Sequence, residues 1–143
     1  MIALDTNILV QAHREDAPQH EAAKAALHQL ARGVAPFAVP WPCVSEFFSI
    51  VTHARIFRPP STLEQGLASV RALEALPNLR LLGEVDRHLD VLAAIVRPGV
   101  SGAKLHDARI AAICLSHGVS ELWTADRDFS YFPELRTRNP LVD

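Results

Sequence analysis

The chain has 143 residues, 49% of them apolar and 21% charged, with a net charge of −2. That length can bury one core without staples, and that balance argues against a disordered chain. Two cysteines, Cys43 and Cys114, are too few for a disulfide scaffold and sit in apolar contexts, so they read as small buried thiols. No apolar run approaches the length of a membrane span, and the first residues lack a basic flank or a cleavage site. The expectation is a single domain, residues 1–143, working in the cytoplasm without a membrane. All 14 basic residues except Lys24 and Lys104 are arginine. Arginine's planar fork suits phosphate, so the composition permits a nucleic-acid ligand without demanding one.

In chain order, Ile2 to Asp5 reads as a short buried strand, followed by a helical turn from Asn7 to His13. Asp16 before Ala17-Pro18 reads as the N-cap of an alanine-rich helix that Gly33 closes after Arg32. Phe37 to Pro40 is a second strand, and Pro42 opens a helix with Val44, Phe47, Phe48 and Val51 on one face. Ser61-Thr62-Leu63-Glu64 has the form of a capping box, with a helix to about Leu76. Leu79 to Leu82 is a third strand, and Asp86 or Arg87 starts a helix to Val96. After the loop Pro98 to Gly102, the run Leu105 to Leu115 is apolar nearly all round and reads as a buried helix ended by Gly118. Glu121 to Thr124 is a fourth strand, and a last extended piece lies between Leu135 and Leu141. Strands alternating with helices imply an α/β fold with a parallel sheet covered on both faces, binding ligands beyond the carboxyl ends of its strands.

Two of those strands end in an acid beside a threonine: Asp5 before Thr6, and Asp126 shortly after Thr124. Glu46 interrupts an apolar helix near its start, and Asp107 lies in the first turns of the buried helix. Helix N-termini tolerate anions. Each acid also has an ordinary structural explanation: Asp5 as a cap, Glu46 as a rim residue, Asp107 as a first-turn acid, Asp126 and Asp128 as turn residues. Together they would repel one another by roughly 4 kcal/mol per pair at 4 Å and an effective dielectric near 20. A cluster of this kind calls for protons or cations. Hard oxygens without histidine or cysteine pairs point to Mg²⁺ or Mn²⁺ rather than zinc. His13, His20, His28, His53, His88 and His117 look like surface residues, and His106 touches the proposed site only by adjacency to Asp107.

The blocks I-A-L-D-T-N-I-L-V, P-C-V-S-E-F, K-L-H-D-A-R-I-A-A-I-C with H-G-V, and L-W-T-A-D-R-D-F occur in that order along the chain. In them the chain resembles the PIN-domain ribonucleases of the VapC type, the toxin halves of bacterial toxin–antitoxin pairs. The resemblance implies a PIN-like three-layer α/β/α sandwich with a short central parallel sheet. It implies an endoribonuclease in which Asp5, Glu46, Asp107 and Asp126 hold Mg²⁺ or Mn²⁺, with Asp128 auxiliary; Asp126 and Asp128 remain alternatives for the fourth acid. Thr6 and Asn7 are neighbours of Asp5, and Thr124 supports the site by hydrogen bonding. Hydrolysis by activated water would leave 5′-phosphate and 3′-hydroxyl ends.

RNA must be held against this acidic centre, and Arg14, Arg97, Lys104, Arg109 and Arg127 are the candidate contacts. The resemblance also implies a homodimer and a cognate antitoxin. Ile8, Leu9 and Ala12, or Phe47, Phe48 and Val51, are the apolar faces such partners could cover. Two other readings stay open. One is a non-catalytic PIN-like RNA- or protein-binding module. The other is an aspartate-based phosphotransfer domain, which D-T-N in place of D-x-D and the missing lysine after the last strand disfavour.

Overall fold

The structure is a computed structural model and describes residues 1–142. Its elements are β1 (Ile2–Leu4), α1 (Thr6–His13), α2 (His20–Arg32), β2 (Phe37–Pro40), α3 (Trp41–Val51), α4 (Leu63–Glu74), β3 (Leu79–Leu82), α5 (His88–Ile95), α6 (Lys104–Ser116), β4 (Glu121–Trp123), a 3-10 turn (Arg127–Tyr131) and β5 (Thr137–Arg138). The strands form one parallel five-stranded sheet in the order β3-β2-β1-β4-β5.

That order follows from burial. Ala3, Leu4, Phe37, Ala38, Val39 and Leu122 are at most 1% exposed, so β1, β2 and β4 need helices on both faces. The chain steps outward from β1 through β2 to β3, then returns to lay β4 on the other side of β1. Right-handed crossovers in opposite directions put successive helices on opposite faces. Accordingly α1 packs on α2 and α3, α3 packs on α4, and α5 packs on α6 as a separate layer. The reversal between β1 and β4 is a topological switch point, where open parallel sheets place their ligand crevice. Asp5 N–H bonds Trp123 O at 3.0 Å, which carries the β1–β4 pairing up to the rim of that crevice.

Several local expectations shift. Asp16 does not cap α2: the helix begins at His20 behind Gln19, while Asp16 pairs with Arg14 at 2.7 Å. The capping box belongs to Thr62 and Gln65, one residue later than the Ser61–Glu64 reading, because Ser61 is buried and its hydroxyl serves His13 and Arg14. His13 is no surface residue. It lies half-buried edge-on to Phe47, its ring nitrogens 2.6 Å from Ser69 Oγ and 2.9 Å from Ser61 Oγ. Burial, then the neighbouring Arg14 charge, hold its pKa below the usual histidine value. Leu105 is 43% exposed and Arg109 is exposed, so α6 is apolar all round only from Ile110 onward.

Candidate acidic centre

Each strand that ends at the crevice hands its next residue to the mouth. Asp5 follows β1 and is both the N-cap of α1 and a wall of the crevice. Its Oδ1 accepts from Thr6 N–H at 2.8 Å and from the Cys43 thiol at 3.5 Å; its Oδ2 accepts from Thr124 Oγ1 at 2.7 Å and Asn7 Nδ2 at 3.1 Å. Asn7 also donates to Thr124 Oγ1 and accepts from Ala125 N–H at 3.0 Å, which fixes its amide and ties the ends of β1 and β4 together. Thr124 Oγ1 in turn accepts from Asp126 N–H at 3.0 Å. Thr6 uses its hydroxyl differently, donating to Glu46 Oε2 at 3.2 Å across from α3.

Asp5, Glu46, Asp107 and Asp126 line one hollow of about 150 Å³ with Thr6, Asn7, Val10, Gln11 and Ile50. Asp128 is more exposed and turns in from the 3-10 segment, whose N-cap is Asp126 accepting from Asp128 N–H at 2.8 Å. A carboxylate oxygen from each of Asp107, Asp126 and Asp128 lies within 4.8 Å of the others, so neither Asp126 nor Asp128 stands apart from Asp107.

Burial and then the crowding of charges raise the proton affinity of Asp107, Asp5 and Glu46. Asp107 is pushed from 3.8 to about 7, first by burial, then by Asp126, Asp5, Asp128 and Glu46. Burial raises Asp5, against the pull of Thr124, Thr6 and Cys43; burial and then Asp5 raise Glu46. Cys43 is fully buried, and burial followed by the Asp5 charge holds its thiol well above the usual range, so it is a donor and not a thiolate. Cys114 is likewise buried and pushed up to about 12. Oxygen donors with no thiolate or imidazole among them fit a hard divalent cation, which would relieve the repulsion that lifts Asp107.

The basic candidates scatter. Arg14 lies on a different hollow with Glu15 and Ser61, locked to Asp16 and stacked on Phe57 at 4.5 Å. Arg97 pairs with Glu134, and Arg109 with Glu84 at 2.6 Å. Lys104 donates to Tyr131 Oη at 2.8 Å, and Arg127 is exposed on the 3-10 turn. Sequence reasoning passed over Cys43 as a partner of Asp5, and over Gln11 and Ile50 as lining. Only their position on α1 and α3, each facing the acids, could have hinted at them.

A parallel sheet whose switch point gathers carboxylates around a hydroxyl-braced aspartate defines a class of acid-centred α/β domains built for a hard divalent ion. The chain belongs to the PIN domain family, whose model matches residues 2–135. It is 32% identical over 142 residues to VapC ribonuclease Mb2897 of Mycobacterium bovis, covering 99% of this chain and 96% of that one. It is 33% identical over 141 residues to ribonuclease VapC31 of Mycobacterium tuberculosis, covering 98% and 99%. Among solved structures, a toxin–antitoxin complex from Klebsiella pneumoniae contains a chain of the same fold, with a TM-score of 0.62, 21% identity and coverage of 98% of both chains.

Proposed function

We propose that this chain, as one catalytic unit of residues 1–143, is a cytoplasmic endoribonuclease of the VapC type, the toxin half of a toxin–antitoxin pair. Asp5, Glu46, Asp107 and Asp126 hold Mg²⁺ or Mn²⁺, with Asp128 beside them. The observation that carries the reading is the convergence of these acids at the switch point, where burial and then the neighbouring charges lift Asp107 to about 7. A divalent ion bound there supplies a Lewis acid and a water of lowered pKa. The chain's own work is orientation. Thr124 and Asn7 fix the plane of the Asp5 carboxylate, and Thr6 steers Glu46. Water adds to phosphorus as the bond to the 3′-oxygen breaks, giving 5′-phosphate and 3′-hydroxyl ends. No side-chain nucleophile is involved, since Cys43 is a buried thiol.

The antitoxin and a second toxin copy account for the remaining apolar surface. Ile8 and Val51 are fully buried and belong to the core. Leu9 and Phe47, 4% and 2% exposed, are core residues too, but with Ala12, Leu27, Val70 and Leu73 they line an apolar groove of about 290 Å³ on the side of α1 away from the acids. That groove is the surface offered to the antitoxin. The deciding experiment is cleavage of a mixed RNA panel by the purified chain in Mg²⁺, Mn²⁺ and EDTA, with Asp107→Asn alongside. Cleavage that needs the cation and disappears in Asp107→Asn supports the reading; cleavage that survives EDTA overturns it.

A further inference from the structure

Two short helical segments meet beside the acidic centre, and they pair twice. On α6, Lys104 and Asp107 are three residues apart and share a face. On the 3-10 turn, Asp128 and Tyr131 are three residues apart and eclipse one another. Asp107 faces Asp128 among carboxylate oxygens within 4.8 Å, while Lys104 Nζ donates to Tyr131 Oη at 2.8 Å and lies 3.9 Å from the ring centroid. The acid pair and the cation–aromatic pair are therefore two rungs of one ladder, a single helical turn apart.

The upper rung is free in a way that Arg14, Arg97 and Arg109 are not. Arg14, Arg97 and Arg109 each spend their charge on a carboxylate, whereas Lys104 forms no ion pair among the described residues. Tyr131 is 37% exposed, although an aromatic ring gains by burial. Gly99, at φ +94°, borders the ring, and a Cβ there would lie 3.8 Å from Cε1, so the missing side chain leaves that flank uncovered. A lone ammonium on an exposed ring, one turn from a phosphodiester-cutting centre, has the makings of single-strand recognition: a point charge for phosphate and a flat face for a base.

The geometry points to a nucleotide subsite formed by Lys104 and Tyr131, the ammonium taking the phosphate next to the scissile one and the phenol ring stacking on its base. This rests on the ribonuclease reading and adds where the substrate strand leaves the acids. The Tyr131 hydroxyl holds Lys104 over the ring until RNA arrives.

The probe is short oligouridylate, compared with the same ribose-phosphate chain lacking bases, bound by fluorescence anisotropy in EDTA so that the readout does not depend on cleavage. Tyr131→Ala should weaken oligouridylate binding about ten-fold, the range typical of a lost base stack. It should leave the baseless chain bound as before, and Tyr131→Phe should retain most of the affinity. Lys104→Gln should weaken both probes and lower the salt slope by about one. In Mg²⁺, both losses should appear in KM rather than kcat. If the parent chain cuts RNA while Tyr131→Ala and Lys104→Gln bind both probes like the parent, the subsite is wrong and the ribonuclease reading stands. A parent chain that neither binds nor cuts RNA overturns both.

Discussion

At the ends of β1 and β4, the Asp5 carboxylate accepts from a backbone amide, a thiol, an amide side chain and a hydroxyl, and these engage both of its oxygens. Across the hollow, Asp107 accepts no hydrogen bond among the described residues and faces Asp126 and Asp128 directly. One acid is held by donors from its neighbours; the other is held only by its helix, with carboxylates opposite it. The difference teaches how a small sheet keeps several carboxylates together. It braces with donors the acid it buries most deeply, and leaves the more open one facing other carboxylates.

The largest test of that contrast removes each acid in turn. Asp107→Asn should abolish cleavage, a loss beyond the roughly 100-fold that outer-shell changes to a metal site produce. Without divalent ions it should nevertheless raise Tm above that of the parent at pH 8, by the order of 5 °C, because a repelled charge is gone. Asp5→Asn should be equally inactive but gain no such stability. Its new amide donors would face Asn7 Nδ2, and a buried donor without an acceptor costs about 1–3 kcal/mol. Parallel thermal melts in EDTA decide this. Equal Tm gains in the two variants would dissolve the distinction between braced and unbraced acids.

A smaller effect should come from Thr124, which links Asp5 to Asp126 through one oxygen. Thr124→Val keeps the shape and loses the donor, and should cost about 10–100-fold in activity or metal affinity. Thr124→Ser should stay near the parent. Titration of Mn²⁺ against both variants separates the hydroxyl from the methyl.

pH supplies a gentler probe. The Asp107 pKa in the fold is raised from 3.8 to about 7, so the folded chain binds this proton more tightly than the unfolded chain does. Its contribution favours the fold at low pH and is lost as pH rises from about 4 through about 7. Metal-free Tm should therefore carry a downward component across that window, absent from Asp107→Asn. Saturating Mg²⁺ should flatten it in the parent and release protons near pH 7. A parent and Asp107→Asn with parallel Tm-versus-pH curves would place the repulsion elsewhere.

Much of this was legible in the sequence because apolar runs that stop at an acid carry two messages at once, the strand and its ligand-bearing end. Asp5 and Asp126 read in that way, and both turned out to cap the segment that follows as well as line the hollow. The cap of α4 slipped by one residue because Ser61–Glu64 and Thr62–Gln65 satisfy the same spacing, and only burial of Ser61 decides between them. The fate of the arginines was invisible for a different reason. Glu134 and Glu84 lie far along the chain from Arg97 and Arg109, and nothing local announces such a pairing. His13 was misplaced by the same blindness to partners brought in from α4 and from Ser61 just before it.

Cys43 provides the finest test of how much bracing Asp5 needs. The thiol is the weakest of the donors on that carboxylate, at 3.5 Å, and shares Oδ1 with the stronger Thr6 amide. Cys43→Ala should therefore reduce cleavage by less than about 5-fold, the worth of a hydrogen bond under about 1 kcal/mol. Cys43→Ser offers a better donor in nearly the same volume and should match or exceed the parent. Steady-state rates of the two variants at saturating Mg²⁺ would then order as Ser, Cys, Ala. A loss in Cys43→Ala as large as that in Thr124→Val would mean that the Asp5 carboxylate turns on the thiol, and that the α3 side, rather than the β4 side, sets its plane.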